Sequence, residues 1–158
     1  QLSPGASASM RMSAAAPSAP FSPVAPSAMT YISETIAVVG ASKDPSKPSH
    51  RIPAYLQSQG YRIIPVSPRG GEIFGERVYE SLDQVTEPVD VVDVFRPAEE
   101  TPDIARQAVA LGAKVLWLQT GISSDEARQI GVQGGMQVVM DTCMGQTHGR
   151  LGLGPGPD

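Results

Sequence analysis

The residues with chemistry to offer gather behind a short apolar run. Thr35-Ile36-Ala37-Val38-Val39 ends at Gly40, and Ala41-Ser42-Lys43-Asp44-Pro45-Ser46-Lys47-Pro48-Ser49-His50-Arg51 follows. A glycine turn opening onto a helix N-terminus presents backbone N–H groups at the positive end of the helix dipole, and Ser42, Lys43, Lys47, Ser49 and Arg51 add side-chain donors. A phosphate or pyrophosphate suits that chemistry; the alternative is an exposed loop of ordinary turn residues. A dinucleotide fingerprint needs three glycines, for the turn, for close approach to the pyrophosphate and for helix packing. With Gly40 as the first, Ser42 and Pro45 stand at the other two places, so the fingerprint fails. A second run, Tyr61 to Val66, leads into Ser67-Pro68-Arg69-Gly70-Gly71. An NAD site carries an acid there for the ribose diol, whereas Ser67 and Arg69 suit a ribose-linked phosphate. NADP and coenzyme A (CoA) both join a pyrophosphate to a phosphorylated adenosine ribose. Two further run ends, Phe95-Arg96-Pro97 and Gln119-Thr120-Gly121, supply an aromatic face, a guanidinium, an amide and a glycine turn. These suit a groove for an amide-bearing arm such as pantetheine, or are plain strand-to-helix turns.

Groups able to catalyse are sparse. His50 falls in a loop or first helical turn and His148 in a Gly-rich tail, so both read as exposed polar residues. There is no nucleophile elbow, no HExxH and no P-loop ending in GK[ST]. Asp90 and Asp93 flank strand residues and read as satisfied by neighbouring backbone. Asp141 ends the last run on the ligand side, where it would orient a hydroxyl but repel phosphate. Cys143 follows on the same edge. A CoA thiol reaching it would form a mixed disulfide under oxidation; the competing reading is a small, buried apolar residue.

Five apolar runs must position these residues: 35–39, Tyr61 to Val66, Val89 to Phe95, Val115 to Gln119 and Met136 to Met140. Four are almost continuously hydrophobic, as strands buried on both faces are, and helical patterns separate them. Pro48 suits a first turn, and Ile52, Tyr55 and Leu56 form a stripe that Gly60 closes; Pro53 argues for a start nearer Arg51. Thr101-Pro102-Asp103 opens the next helix, with Ile104, Ala105, Ala108 and Val109 inward and Gly112 beyond its end. Ser123 and Glu126 have capping-box spacing, and Gly134-Gly135 end the last helix. The expected fold is α/β, a three-layer, Rossmann-like, doubly wound sheet of about five parallel strands in the order 3-2-1-4-5. Ligands on such sheets bind beyond the strands' carboxyl ends.

The 158 residues fit one domain with tails. Residues 1–28 hold eight Ala, seven Ser, five Pro and one charge, Arg11, and are expected to be a disordered tail or leader. The domain is expected over 29–150, with a flexible Gly/Pro tail over 151–158. Twelve Lys and Arg against 16 Asp and Glu give a formal charge of -4, which excludes recognition of nucleic acid by bulk positive charge. One cysteine excludes an internal disulfide and fits a reducing compartment. No apolar run approaches the ~20 residues that span a bilayer. A soluble, cytoplasmic protein is expected, or one of an organelle matrix if residues 1–28 are a transit peptide.

Six motifs in order, from Ile36 to about Arg150, resemble the stand-alone CoA-binding domain proteins, whose fold recurs at the N-terminus of the succinyl-CoA synthetase α subunit. They are Val38-Val39-Gly40-Ala41-Ser42, Gly60 to Pro68, Gly75 to Leu82, Val89 to Arg96, Trp117 to Gly121 and Val139 to Cys143. The resemblance implies CoA or an acyl-CoA as ligand. Gly40, Ala41 and Ser42 would hold the phosphates, helped by Lys43 and Lys47. Ser67 and Arg69 would face the adenosine, although stand-alone relatives often have Asn at the place of Ser67. Phe95, Arg96, Gln119 and Gly121 would border the pantetheine. The resemblance implies that the synthetases' phosphorylated histidine belongs to a further domain, expected to begin about where this sequence stops. The expected role is therefore non-catalytic: a sensor, carrier or partner module, with a protein partner or homo-oligomer compatible. The rival readings are a small NADP-dependent reductase, disfavoured by the failed glycines and the absent Tyr-x-x-x-Lys pair, and an interaction protein with a vestigial nucleotide site.

Overall fold

A computed structural model describes residues 35–151. The expected tail over 1–28 and, apart from Leu151, the expected tail over 151–158 lie outside the described residues. Five parallel strands form the central sheet: β1 (Thr35–Val39), β2 (Arg62–Val66), β5 (Val91–Val94), β6 (Val115–Leu118) and β7 (Gln137–Val139). A short hairpin, β3 (Glu72–Ile73) and β4 (Glu76–Arg77), forms a separate two-stranded sheet that packs beside β2. The runs are continuous because helices cover both faces, and the two-residue period deals their side chains alternately to two cores. Ala37, Val39, Val92, Val94, Leu116 and Leu118 belong to one core; Ile36, Val38, Val91, Val115 and Trp117 belong to the other.

Helices α2 (Thr101–Leu111) and α3 (Asp125–Gln133) close the first core through Ile104, Ala105, Ala108 and Ala127. Helices α1 (Pro48–Ser58) and α4 (Met144–Leu151) close the second through Leu56 and Met144. The three layers are those expected. Helix α1 begins at Pro48 rather than near Arg51, with Pro53 buried inside it. Proline removes the N–H that would bond the carbonyl four residues back. That carbonyl, on Ser49, instead accepts the Ser42 N–H at 3.3 Å and ties the loop after β1 to the helix. The expected capping box of α3 shifts by one residue: Ser124, not Ser123, is the cap, and its hydroxyl accepts the Ala127 N–H. Gly112 ends α2 in the left-handed conformation, as expected.

The strand order needs a correction in detail. Numbered as the five expected runs, the sheet reads 2-1-3-4-5, because Val91–Val94 pairs with β1 and does not lie outside β2. The place outside β2 belongs to Tyr79, which makes a single parallel bridge with Val66. Its carbonyl accepts the Ser67 N–H at 2.9 Å, and its N–H donates to the Pro65 carbonyl at 3.1 Å. Counting that bridge as a rudimentary third strand restores 3-2-1-4-5, with β7 as a sixth. One bridge leaves no apolar run to read.

Candidate functional site

All five strands point their carboxyl ends at one edge, and the loops there form the site. Gly40 is its fixed point. Its φ is +91°, and a Cβ there would lie 2.9 Å from Arg96 Cδ and 3.0 Å from the Phe95 carbonyl, so the exit of β5 crosses directly over it. Only glycine accepts both the backbone angle and the crossing. Beyond it the loop is locked from within. The Ser42 hydroxyl accepts the Asp44 N–H at 3.0 Å, and the Ser42 carbonyl lies 2.7 Å from His50 Nδ1. A carbonyl can only accept, so His50 carries its proton on Nδ1 and donates. Its ring packs on Phe74 at 5.0 Å, which makes His50 a half-buried brace and not the exposed residue expected. Asp44 accepts both the N–H and the hydroxyl of Ser46, and these bonds hold its carboxyl below the usual range. Among the described residues, the Ala41 and Lys43 amides donate to no protein acceptor. With the Ser42 hydroxyl proton, these are the donors left for a ligand.

The expected cations divide into two groups. Lys43 reaches sideways, its Nζ 3.1 Å from where a Gly71 Cβ would stand, and so joins the loop of Arg69. Ser67 is buried, and its hydroxyl receives the Arg69 N–H at 3.3 Å while its carbonyl accepts the Gly70 N–H at 3.0 Å, shaping that loop as a turn. Lys47 faces elsewhere. With Arg51, Ile52, Phe95, Gln119, Thr120, Ile122, Cys143 and Gln146 it lines a cleft of about 540 Å³ on the α1 side.

Arg96 does not join that cleft. Phe95 and Arg96 leave β5 in succession and therefore face opposite sides, as neighbours on a strand do. Arg96 lines a second cleft, of about 280 Å³ on the α2 side, with Gly40, Pro68, Glu80, Glu100, Asp103 and Gln107. Its guanidinium makes a two-point pair with Glu100, at 2.9 and 2.8 Å. Gly121 lines neither cleft; at φ +85° it turns the chain after β6 and donates its N–H to Asp141 Oδ1 at 2.6 Å. The Asp141 carboxylate is thereby a loop brace.

Beneath the larger cleft lies a buried polar chain. Asp93 Oδ1 accepts from the Gln119 side-chain amide, and Gln119 Oε1 accepts the N–H of Met144, the first residue of α4, at 3.2 Å. Asp93 is fully buried and its Oδ2 has no partner. Burial pushes its carboxyl up to about 7, against the smaller opposing effect of the Gln119 bond. The expectation that backbone satisfies both acids holds for Asp90, which accepts the Thr35 N–H at 3.0 Å and pairs with Lys114 at 3.6 Å, and fails for Asp93.

His148 is likewise corrected. It belongs to α4, is 1% exposed, and packs edge-on to Tyr55 and Tyr61 with Nδ1 2.9 Å from the Tyr55 hydroxyl. Burial holds its pKa below the usual value. Cys143 is half-buried at the cleft wall, not in the core. Glu80, Gln146 and the helix carrying His148 were missed by the sequence reading; Glu80 directly follows Tyr79, the residue of the rudimentary strand. Among the described residues no cluster of His, Cys, Asp and Glu could hold a metal ion, and no helix is long and apolar enough to cross a membrane.

Comparison with known proteins adds to this geometry. A family profile described as a CoA binding domain matches residues 34–149. The uncharacterized protein YneT of Bacillus subtilis is 39% identical over 116 residues, which span 73% of this chain and 86% of YneT. The solved structure of a cell-free-produced Thermus thermophilus protein is 44% identical, with a TM-score of 0.74 over 79% of this chain and 94% of its own. The α subunit of the ADP-forming acetate–CoA ligase II of Pyrococcus furiosus is 27% identical over 129 residues, 73% of this chain but 28% of that subunit.

Proposed function

The chain belongs to the CoA binding domain family, and from that premise we propose that it binds coenzyme A or an acyl-CoA across the Gly40 loop without transforming it, as a sensor, carrier or partner module. The supporting observation is the pair of clefts on either side of the Phe95-Arg96 crossing over Gly40, with Arg96 lining one and Phe95 the other. Their joint reach suits a ligand with a nucleotide at one end and a long arm at the other, and the donors at Ala41, Ser42 and Lys43 directly follow Gly40, over which that crossing runs. The phosphates rest on those donors, as anions do at a loop opening onto a helix. Arg69 and Lys43 serve the phosphorylated ribose, and the pantetheine follows the α1-side cleft past Phe95 and Gln119. Both histidines are committed to bracing bonds, which supports binding over catalysis. The ligase subunit that this chain resembles is more than three times as long as the matched region, so the ligase's activity does not carry over to this domain by likeness.

One observation keeps a competitor in the test. Glu80 Oε2 lies 3.3 Å from where a Gly70 Cβ would stand, which puts a carboxylate at the end of β2, the place where dinucleotide folds hold a ribose diol. Thermal unfolding with CoA, dephospho-CoA, NADP and NAD separates the readings, because a ligand that binds only the folded chain raises its midpoint. The expected result is the largest rise with CoA and a smaller one with dephospho-CoA. A rise with NAD or NADP and none with CoA would overturn the proposal.

A further inference from the structure

A buried acid lies under the α1-side cleft, and holding the phosphates of CoA does not call for it. Side chains along β5 alternate, so Asp93 shares its face with Val91 and Phe95, which belong to the core that α1 and α4 close, and Phe95 lines the cleft. Asp93 itself is fully buried. Gln119, just past the end of β6, is 3% exposed and lines the same cleft. Its amide has one possible orientation. The Met144 N–H can only donate, so Oε1 faces it, at 3.2 Å, and Nε2 faces Asp93. One Nε2 hydrogen goes to Asp93 Oδ1; the second has no acceptor among the described residues and is the donor left for a carbonyl in the cleft.

Asp93 Oδ2 has no partner. The strands on either side, β1 and β6, carry no ionisable side chain. Helix α1 brings His50, Arg51 and Tyr55, with Lys47 before it; among the described side chains α4 brings His148, against which Tyr61 packs, with Cys143 before it. His50 is tied to the Ser42 carbonyl, Arg51 to the Ser46 carbonyl and His148 to Tyr55. Burial raises the Asp93 carboxyl against the opposing Gln119 bond, and no neighbouring charge contributes. Solvent in the cleft is then what sets its proton balance. Water in an open cleft stabilises the carboxylate through the floor, and an apolar arm in its place withdraws that stabilisation. The proton passes from solvent to Oδ2, because Oδ1 must stay an acceptor for Gln119.

Resting on the CoA reading above, we infer that Asp93 is a positioning residue coupled to the arm: it fixes Gln119 as a donor to a carbonyl of the arm and takes up a proton when the arm displaces water from the cleft. A bound form that keeps the proton longer binds more tightly where the acid is protonated, so the affinity for CoA falls as pH rises past neutrality.

The ¹³Cγ resonance of Asp93, followed against pH in aspartate-labelled natural protein, tests this without a substitution. Saturating CoA is expected to raise the titration midpoint, and 3′-phospho-ADP, which has the nucleotide but no arm, to leave it in place. Asp93→Asn gives a second readout. In calorimetry with buffers of different ionisation enthalpy near pH 7.5, the natural protein is expected to take up about half a proton more per CoA than the variant. Its affinity, relative to that of the variant, is expected to fall about fivefold between pH 6 and pH 8.5. Every other titrating group, on CoA or on the chain, is common to the two proteins and cancels. A midpoint that CoA leaves unmoved, one that 3′-phospho-ADP raises equally, or equal proton uptake by the two proteins would overturn the inference while leaving CoA binding intact. Absence of heat with CoA would instead overturn the reading on which it rests, and the inference with it.

Discussion

The two clefts flank the Phe95-Arg96 crossing over Gly40 and have opposite chemistry. On the α1 side, Lys47 and Arg51 line the cleft with apolar Ile52, Phe95 and Ile122 and no acid; on the α2 side, Glu80, Glu100 and Asp103 line it with Arg96, which is spent on Glu100. The first cleft favours carbonyls and anions, the second uncharged donors such as an amino group or a ribose hydroxyl. A single residue step produces this division, since Phe95 and Arg96 turn to opposite faces as β5 ends. A symmetric anion such as free pyrophosphate would use only the Gly40 loop. A ligand with different ends uses all three parts, and that asymmetry is the physical case for a nucleotide joined to a long arm.

Disturbing that crossing has the largest expected effect. Gly40→Ala places a Cβ within 3.0 Å of the β5 exit at a φ of +91°, and strain with overpacking is expected to cost about 3 kcal/mol of stability. Urea unfolding would register this as a lower midpoint with an unchanged slope, and the CoA-induced rise in melting temperature should vanish. An unaltered midpoint would mean that the crossing is looser than described.

Next comes the floor of the α1-side cleft. A carboxyl raised from 3.8 to about 7 contributes stability that is fully present below pH 4 and is lost as pH climbs to 7. Asp93→Asn removes that loss, so the variant is expected to gain on the natural protein across pH 4 to 7, by a few kcal/mol at the top of that range. His148 acts in the opposite sense: its lowered pKa makes stability rise as pH approaches 6.5. The difference between variant and natural protein isolates Asp93, because His148 is common to both. A difference constant with pH would contradict the assignment.

The smallest expected effect is on the α2 side. Glu80 is exposed, so its repulsion of a nearby phosphate is worth at most ~1 kcal/mol. Glu80→Gln should therefore tighten CoA two- to fivefold and leave dephospho-CoA unchanged in calorimetry. Equal tightening of both would place Glu80 away from the ribose phosphate.

Much of this was legible in the sequence because parallel strands covered on both faces write themselves as unbroken apolar runs. The five strands fall inside the runs read from residue type, and Gly40, with its donor-rich loop, follows from position behind the first. What escaped lacks periodicity. The rudimentary strand at Tyr79 is one bridge, so its follower Glu80 gave no sign of standing at the end of β2. Helix α4 contains Gly145 and Gly149, and glycine weakens a helical pattern. Missing that helix turned the buried His148 into an exposed tail residue. Asp93 was misread by local reasoning alone. An acid inside Val91-Val92-Asp93-Val94 has no backbone to spare and must find a side chain across the sheet, which here is Gln119 of the neighbouring segment.

The most direct measurement is a titration of ¹⁵N-labelled protein with CoA followed by amide resonances. Binding across Gly40 predicts saturable shifts at Ala41, Lys43 and Arg69, with Gln119 and Gln146 moving at the same concentrations and the amides of β7 unmoved. Shifts confined to one cleft, or none in the 40–47 loop at saturation, would contradict a ligand that bridges the two.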